Sequence, residues 1–200
     1  MMSFKQVLLS AVLLTSTFLA AQATTVSLNA DGQWQAFGVD SFASLSGGKE
    51  WIDNANTNDA GYGSPLSFTF TIAEGFQGTL TIVDANMAGD TFKVFNNGGL
   101  LGETSNVAVQ QYGSAPDVGD DYDAAMASSH FSRGVFTLGS GTYGISGELS
   151  QSLMVGGEPL NATGGGVKLS VSAVPEPSSA ALMLAALGVT FLVSRRRAVR

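Results

Sequence analysis

The 200-residue sequence contains no cysteine and a single histidine, His130. Without cysteine, the chain has no disulfide, no thiolate nucleophile and no sulfur ligand for a metal. No G-x-S-x-G elbow surrounds any serine, and neither H-E-x-x-H nor a P-loop is present. Because no catalytic motif remains, we expect that the protein is not an enzyme. A pair of carboxylates of the glycosidase type is the catalytic arrangement that sequence spacing leaves open.

Basic side chains are scarce between residues 24 and 173. This region contains four basic residues and fifteen carboxylates, so its net charge is −11. The whole-chain value of −7 hides this imbalance, because four of the nine basic residues lie among the last six positions. A region this acidic would repel the phosphate backbone of a nucleic acid. We therefore expect no nucleic-acid partner.

The first 23 residues have the three-part order of a secretory signal peptide. Lys5 is followed by an apolar run from Val7 to Ala20 and then by the small-residue sequence Ala21-x-Ala23. The apolar run is too short to be favoured as a permanent membrane anchor. We predict that signal peptidase cleaves after Ala23, so that the mature chain begins at Thr24 and is exported.

A second apolar segment lies near the C-terminus. Residues 178–194 carry no charge, and the stretch from Ala180 to Val193 is almost entirely apolar. As a helix, the uncharged residues would extend about 25 Å, slightly less than the roughly 30 Å of a hydrocarbon core. Basic side chains that follow can snorkel to the headgroups and hold the C-terminus in the cytoplasm. We predict a single transmembrane helix whose topology is set by Arg195, Arg196 and Arg197.

A proline-rich tetrapeptide precedes this helix and consists of Val174, Pro175, Glu176 and Pro177. The order of tetrapeptide, short hydrophobic helix and terminal arginine cluster resembles the PEP-CTERM sorting signal of exported bacterial proteins. The resemblance implies recognition by an exosortase, a membrane-embedded transpeptidase-like enzyme that removes the helix and releases or transfers the ectodomain. It also implies a Gram-negative type of envelope and a link with exopolysaccharide or biofilm. A simple tail anchor, whose prolines merely end a helix, is the alternative interpretation.

The region between these two ends, residues 24–173, is long enough for one domain with a single core. In residues 67–72 the apolar side chains of Phe68, Phe70 and Ile72 alternate with serine and threonine, as in a half-buried strand. Similar segments, separated by Gly-, Asn-, Asp- and Ser-rich stretches, occur at 78–83, 91–95, 133–138, 142–149 and 166–173. This pattern predicts an all-β fold, a single antiparallel β-sandwich or jelly-roll-like ectodomain.

One segment of this region, residues 120–129, has helix-forming composition, with Asp120 as the candidate N-cap. Four other segments resemble the ectodomain of many PEP-CTERM proteins, and they are residues 31–40, 50–53, 89–105 and 131–143. This second resemblance extends over most of residues 26–171. It implies the sandwich fold but brings no activity with it.

Acidic side chains are crowded in residues 117–123, where four carboxylates occupy seven positions. Carboxylates at this spacing repel one another unless solvent or a cation neutralises them. Because Ca²⁺ prefers oxygen ligands, the sequence suggests a calcium cofactor bound by Asp117, Asp120, Asp121 and Asp123. The pattern is not that of an EF-hand loop. A solvated acidic turn at the start of a helix, where the helix dipole favours carboxylates, is the alternative interpretation.

Aromatic side chains suggest a second candidate site, because sugars present C–H faces that pack on aromatic rings. The predicted glycan-stacking residues are Trp51, Tyr62 and Tyr112, with Trp34 as a further candidate. Both tryptophans are also expected in the core or at its edge, since tryptophan is highly buried on average. The sequence leaves these two interpretations open.

The patterns predict an exported chain in three parts: a signal peptide (1–23), a β-sandwich ectodomain (24–173) and a sorting signal (174–200). We expect an inner-membrane intermediate that reaches the cell surface, outer envelope or extracellular matrix of a Gram-negative-type bacterium. Its expected role is structural or binding and linked to exopolysaccharide, with signal peptidase and an exosortase as processing partners. The alternative is a carbohydrate- or calcium-binding module that stays anchored in the membrane, and glycan hydrolysis is a further alternative.

Overall fold

The computed structural model describes residues 23–174 of the chain, apart from residues 56 and 60. Within these residues, no helix has the length and apolarity needed to cross a membrane. Most of the predicted signal peptide, and the predicted transmembrane segment, lie outside the described residues.

The described residues form eleven strands and one short helix. In chain order these are β1 (Thr24–Ser27), β2 (Gln35–Asp40), β3 (Leu66–Ile72), β4 (Phe76–Ala85), β5 (Thr91–Asn96), β6 (Gly99–Glu103), α1 (Tyr122–Ala127), β7 (Arg133–Leu138), β8 (Gly141–Gln151), β9 (Met154–Val155), β10 (Glu158–Pro159) and β11 (Ala162–Ala173). One sheet has the order β1-β3-β8-β5-β6, and the second has the order β2-β11-β4-β7. The short strands β9 and β10 pair with each other.

The two sheets pack face to face around one apolar core. Alternate side chains of β3, β4, β5, β8 and β11 point inward and join a single cluster of buried residues. Trp51 lies at its centre, fully buried, stacked on Phe37 of β2 and edge-on to Phe92 of β5 in the opposite sheet. Both sheets therefore share one core, and the prediction of an all-β sandwich is confirmed at this level.

The chain alternates between the sheets as it runs. Every connection between successive long strands passes from one sheet to the other, except the hairpin that joins β5 to β6. This hairpin turns through Asn97 and Gly98, which both have positive φ (49° and 82°). Asn-Gly is the sequence that a two-residue type I′ turn favours. Frequent crossing between sheets is a feature shared with Greek-key sandwiches.

The arrangement differs from the sequence-based expectation in one strand pair. β1 runs parallel to β3, with Thr24 opposite Leu66, whereas the other pairs are antiparallel. The two strands are not joined by a hairpin, because the chain between them first crosses to the other sheet to form β2. A long crossover leaves the returning strand free to run in the parallel direction.

The helix α1 covers part of the outer face of β4. Val83 of β4, Ala125 of α1 and Phe131 form a second, smaller apolar cluster there. The helix is shorter than predicted, and its N-cap is Asp121 and not Asp120. The prediction of Asp120 as N-cap is wrong because the Asp121 carboxylate is the one that accepts the Ala124 N–H.

Candidate functional site

The sandwich has two distinct ends, which the strand register defines. Residues 41–65, 86–90, 104–132 and 152–161 connect strands at one end, which we call the loop end. Short turns join strands at the other, which we call the exit end because β11 finishes there. The Val174 N–H donates a hydrogen bond of 2.8 Å to the Gly75 carbonyl at this end. The folded body therefore continues to the residue immediately before Pro175.

Several predicted site residues lie outside the described residues. They are Ala21 of the cleavage site, the motif residues Pro175, Glu176 and Pro177, and the arginines Arg195, Arg196 and Arg197. Ala23 and Val174 are the first and last described residues, and both are exposed.

The acidic segment, residues 117–123, lies at the loop end, and its carboxylates have separate contacts. Asp117 Oδ1 accepts the N–H of Gly119 at 2.8 Å and closes a turn. Asp121 Oδ1 accepts the N–H of Ala124 at 2.9 Å as the cap of α1. Both carboxylates thus satisfy local backbone groups, which is the structural interpretation of an acidic turn before a helix.

Asp123 instead belongs to a surface cluster around Trp34. Its Oδ1 accepts the indole N–H of Trp34 at 2.9 Å and lies 3.6 Å from the Lys168 ammonium. The indole hydrogen bond and the Lys168 charge lower the pKa of Asp123. One face of the Trp34 ring meets Lys168 at 4.1 Å from the ring centroid, and Tyr122 packs against the ring at 5.5 Å. Trp34 is therefore an edge residue of the smaller cluster, occupied by protein contacts.

The fourth carboxylate, Asp120, is exposed, and its charge adds to burial in raising the pKa of Tyr122. Across the described part of the chain, no three His, Asp or Glu side chains converge in a group that could hold a metal. The calcium site predicted at Asp117, Asp120, Asp121 and Asp123 is thus not supported, because these carboxylates are divided among a turn, a helix cap and a surface ion pair.

The aromatic candidates for glycan stacking are not brought together. Trp51 has no exposed surface, so the prediction of a sugar platform there is wrong, and its interpretation as a core residue is confirmed. Tyr62 is half-buried in the loop before β3, where its N–H donates to Asp59. Tyr112 is exposed beside β9, where its N–H donates to the Met154 carbonyl. Tyr112 is the predicted stacking residue with the most accessible ring.

Two carboxylates that the sequence interpretation missed, Asp84 and Asp90, lie inside the loop end. Neither has any exposed surface. Asp84 follows Leu80 and Ile82 on the inward side of β4, and Asp90 lies directly before β5, two residues before the core residue Phe92. Each therefore continues a row of core side chains with a carboxylate. Together they close the apolar core of the sandwich with a polar layer, which we call the Asp84–Asp90 layer.

Backbone amides hold one oxygen of each carboxylate in this layer. Asp84 Oδ2 accepts the N–H of Gly89 at 3.3 Å and that of Asp90 at 3.2 Å. Asp90 Oδ1 accepts the N–H of Leu153 at 2.7 Å. The remaining oxygens, Asp84 Oδ1 and Asp90 Oδ2, are buried and have no hydrogen-bond donor.

Burial and mutual repulsion perturb both groups. Burial, followed by the negative charge of Asp90, holds the pKa of Asp84 well above its usual range. Burial likewise raises the pKa of Asp90 to about 6, against the opposing effects of the Thr163 hydroxyl and the Leu153 N–H. Strongly perturbed carboxylates of this kind are found preferentially at functional sites. The layer is therefore a candidate functional site.

Comparison with known proteins bears on the C-terminus. The family model for the PEP-CTERM protein-sorting motif matches residues 173–197. The chain carries a PEP-CTERM sorting motif. A PEP-CTERM motif implies an exported, membrane-passing protein of a Gram-negative-type bacterium and directs it to an exosortase. The predicted resemblance of the tail is thus confirmed over a stretch that begins in the last residue of β11.

The PEP-CTERM match leaves the sandwich itself unassigned. No curated protein matches the chain. Among solved structures, the chain is similar to the pre-peptidase C-terminal domain of collagenase from Bacillus anthracis, with a TM-score of 0.36 and 8% identity over 76% of this chain and 97% of that domain. This likeness is too distant to support an inference about the sandwich.

Proposed function

We propose that this chain is an exosortase-processed component of the cell surface or extracellular matrix. In this proposal the sandwich has a structural or binding role linked to exopolysaccharide and does not catalyse a reaction. The PEP-CTERM motif supports export and exosortase targeting.

The observation that carries the proposal is the match between the folded unit and the two processing segments. β1 begins at Thr24, directly after the predicted signal-peptidase site, and β11 ends at Ala173, directly before the tetrapeptide. Removal of both segments would therefore take no residue from the core. This supports a division into two processing signals and one ectodomain that is delivered intact.

The position of the exit end supports an orientation for the intermediate. Because Val174 is hydrogen-bonded to Gly75 and Pro175 follows at once, the exit end would lie next to the membrane while the tail is inserted. The loop end would then point away from the membrane. Phe42 (93% exposed), Tyr112 (55%) and Val155 (42%) are large exposed side chains at this end, and the proposal places the binding surface there.

Accessibility argues against glycan hydrolysis by the two buried carboxylates, Asp84 and Asp90. A glycosidase needs two carboxylates that both reach the scissile bond, at about 5–10 Å from each other. Asp84 and Asp90 have no exposed surface, so a sugar chain has no contact with these two carboxylates in this fold. His130, the single histidine, lies on the surface after α1.

The proposal is tested in an exopolysaccharide-producing host that has an exosortase. The full chain should sediment with the polysaccharide fraction and should be released when that polysaccharide is degraded enzymatically, while the purified chain releases no reducing ends from it. The double variant Phe42→Ala/Tyr112→Ala at the loop end should lose association. The control Phe76→Ala changes an exposed ring at the exit end and should retain it.

Two results would overturn the proposal. Recovery of the chain only in the membrane, with Arg200 retained, would support the permanently anchored module. Production of reducing ends by the purified chain, in a quantity that grows with time, would identify a hydrolase.

A further inference from the structure

The Asp84–Asp90 layer contains two carboxyl groups and no basic side chain that pairs with them. The two ion pairs among the described residues, Lys93 with Glu148 and Lys168 with Asp123, involve other carboxylates. Taking a carboxylate out of water costs several kcal/mol unless the charge is paired or hydrogen-bonded. Two such groups at one place increase this cost through mutual repulsion. A partner of opposite charge would remove it.

The existing hydrogen bonds favour the ionised form of both groups. Three backbone N–H groups, from Gly89, Asp90 and Leu153, donate to one oxygen of each carboxylate. Amide donors stabilise a carboxylate more than a neutral carboxyl group. Each side chain is therefore oriented by one oxygen and keeps its second oxygen, Asp84 Oδ1 or Asp90 Oδ2, for a partner outside the present hydrogen-bond network.

The Thr163 hydroxyl, an uncharged oxygen that could act as a metal ligand, belongs to the same layer. Thr163 of β11 lies two residues before Gly165, which is paired with Asp84 across the sheet, so Thr163 and Asp84 share the inner face. The Thr163 hydroxyl also acts on the Asp90 carboxylate, whose pKa it lowers. The two carboxylates and the Thr163 hydroxyl therefore lie in the same layer, at the loop end of the core.

We propose that Asp84, Asp90 and the Thr163 hydroxyl bind a calcium ion in the layer that closes the loop end of the sandwich. Calcium accepts six to eight oxygen ligands, which include carboxylates, backbone carbonyls, hydroxyls and water, in flexible geometry. Two carboxylates neutralise its charge, and neutral oxygens complete the coordination. The absence of cysteine and the surface position of His130 agree with an oxygen-only site.

The site would connect calcium to the structure of the loop end. The turn between Asp84 and Asp90 is hydrogen-bonded to the acidic segment and to the residue before it: Asn86 N–H donates to the Gly119 carbonyl, and Ala88 N–H donates to the Pro116 carbonyl. Fixing both carboxylates would hold this turn and, through it, residues 104–121, which contain no helix or strand of the described fold. Since the chain is exported, the relevant affinity is that of extracellular modules, about 10⁻⁴ to 10⁻³ M.

The test uses the full chain, purified in detergent, with CaCl₂ as the probe. Isothermal calorimetry should give one site in this affinity range. At a calcium concentration about 100 times the Kd, the Tm should rise by roughly 5 °C or more relative to the protein in EDTA. Asp84→Asn and Asp90→Asn should each weaken calcium binding at least about tenfold. Thr163→Val, which leaves both carboxylates in place, should weaken it to a smaller extent.

A matched control separates this site from the acidic segment. Asp120→Asn removes the same charge from an exposed position at the same end and should leave both the affinity and the Tm shift unchanged. Wild-type protein with no heat of binding and no Tm shift in 10 mM CaCl₂ would overturn the proposal and point to a proton shared by the two carboxyl groups. Loss of the calcium response in Asp120→Asn, with Asp90→Asn unaffected, would also overturn it.

Discussion

The Val174 amide is hydrogen-bonded to the Gly75 carbonyl, at 2.8 Å, one residue before the Pro-Glu-Pro sequence begins. This contact joins the last strand of the sandwich to the turn between β3 and β4. No flexible spacer therefore separates the folded domain from the start of the sorting motif. The relationship explains how a cleavable tail can be attached to the sandwich without being part of it.

Glu176 is the charged residue of the motif, and Glu176→Ala should impair sorting. Replacement of Arg195, Arg196 and Arg197 by alanine should impair it as well, because in the proposed topology these cations would hold the tail in the membrane until an exosortase removes it. Immunoblots of cell fractions would measure the mature size and location. Glu158→Ala, which removes an exposed carboxylate from the sandwich, is the control and should be sorted normally. Unaltered size and location in both tail variants would refute the assignment.

Gly147 of β8 allows the Trp51 indole to lie flat against the sheet. A Cβ at this position would overlap the ring, since the indole atoms are closer than any normal contact. Gly147→Ala should lower the free energy of unfolding by roughly 1–3 kcal/mol, the usual cost of overpacking a core. Urea unfolding followed by tryptophan fluorescence measures it. Gly139→Ala is the control, because no atom lies within 4 Å of its added Cβ, and an equal effect of both variants would contradict this reason.

Asp121 caps α1, whereas its neighbour Asp120 does not. Asp121→Ala should destabilise the fold by about 1 kcal/mol, which is the typical cost of losing an N-cap carboxylate. Asp120→Ala removes the same charge one residue earlier and should have a much smaller effect. Thermal unfolding of the two variants side by side provides the measurement. The capping assignment would fail if Asp120→Ala were the more destabilised of the pair.

The buried carboxylates predict a pH dependence for the calcium-free protein. The pKa of Asp90 is raised from 3.8 to about 6, so the folded state favours the protonated form. Stability from this group is fully present below about pH 4 and is lost as pH rises through about 6, by roughly 3 kcal/mol. Asp84 shifts in the same direction. Urea unfolding in EDTA, compared with Asp90→Asn, isolates this effect, and a wild-type stability that rises over pH 4–7 relative to the variant would contradict it.

Much of the fold could be predicted because the core rows have a clear period of two. The alternating pattern at 133–138 has the same bounds as β7, and the patterns around Phe68 and Leu80 lie within β3 and β4. The short strand β1 was missed because four residues give too little alternation, and its parallel pairing depends on a crossover that no local pattern encodes.

The inward positions of Asp84 and Asp90 have a signal in the sequence. Asp84 keeps the phase of Leu80 and Ile82, and Asp90 keeps that of Phe92, so both occupy inward positions. The density of acidic residues points instead to residues 117–123, where the carboxylates of Asp117 and Asp121 close a turn and cap a helix. The position of Trp51, by contrast, has no signal in the sequence, because a tryptophan fits a sugar-binding surface and a core equally. Its stacking on Phe37, at 4.0 Å between ring centroids, is a tertiary contact that no local pattern encodes.

The most direct test of the account is the mass of the mature chain in two hosts, one with an exosortase and one without. The account predicts a product that begins at Thr24 and ends near Pro177 in the first host, and a chain that retains Arg200 in the membrane of the second. Retention of Arg200 in the membranes of both hosts would contradict it and would reduce the tail to an anchor.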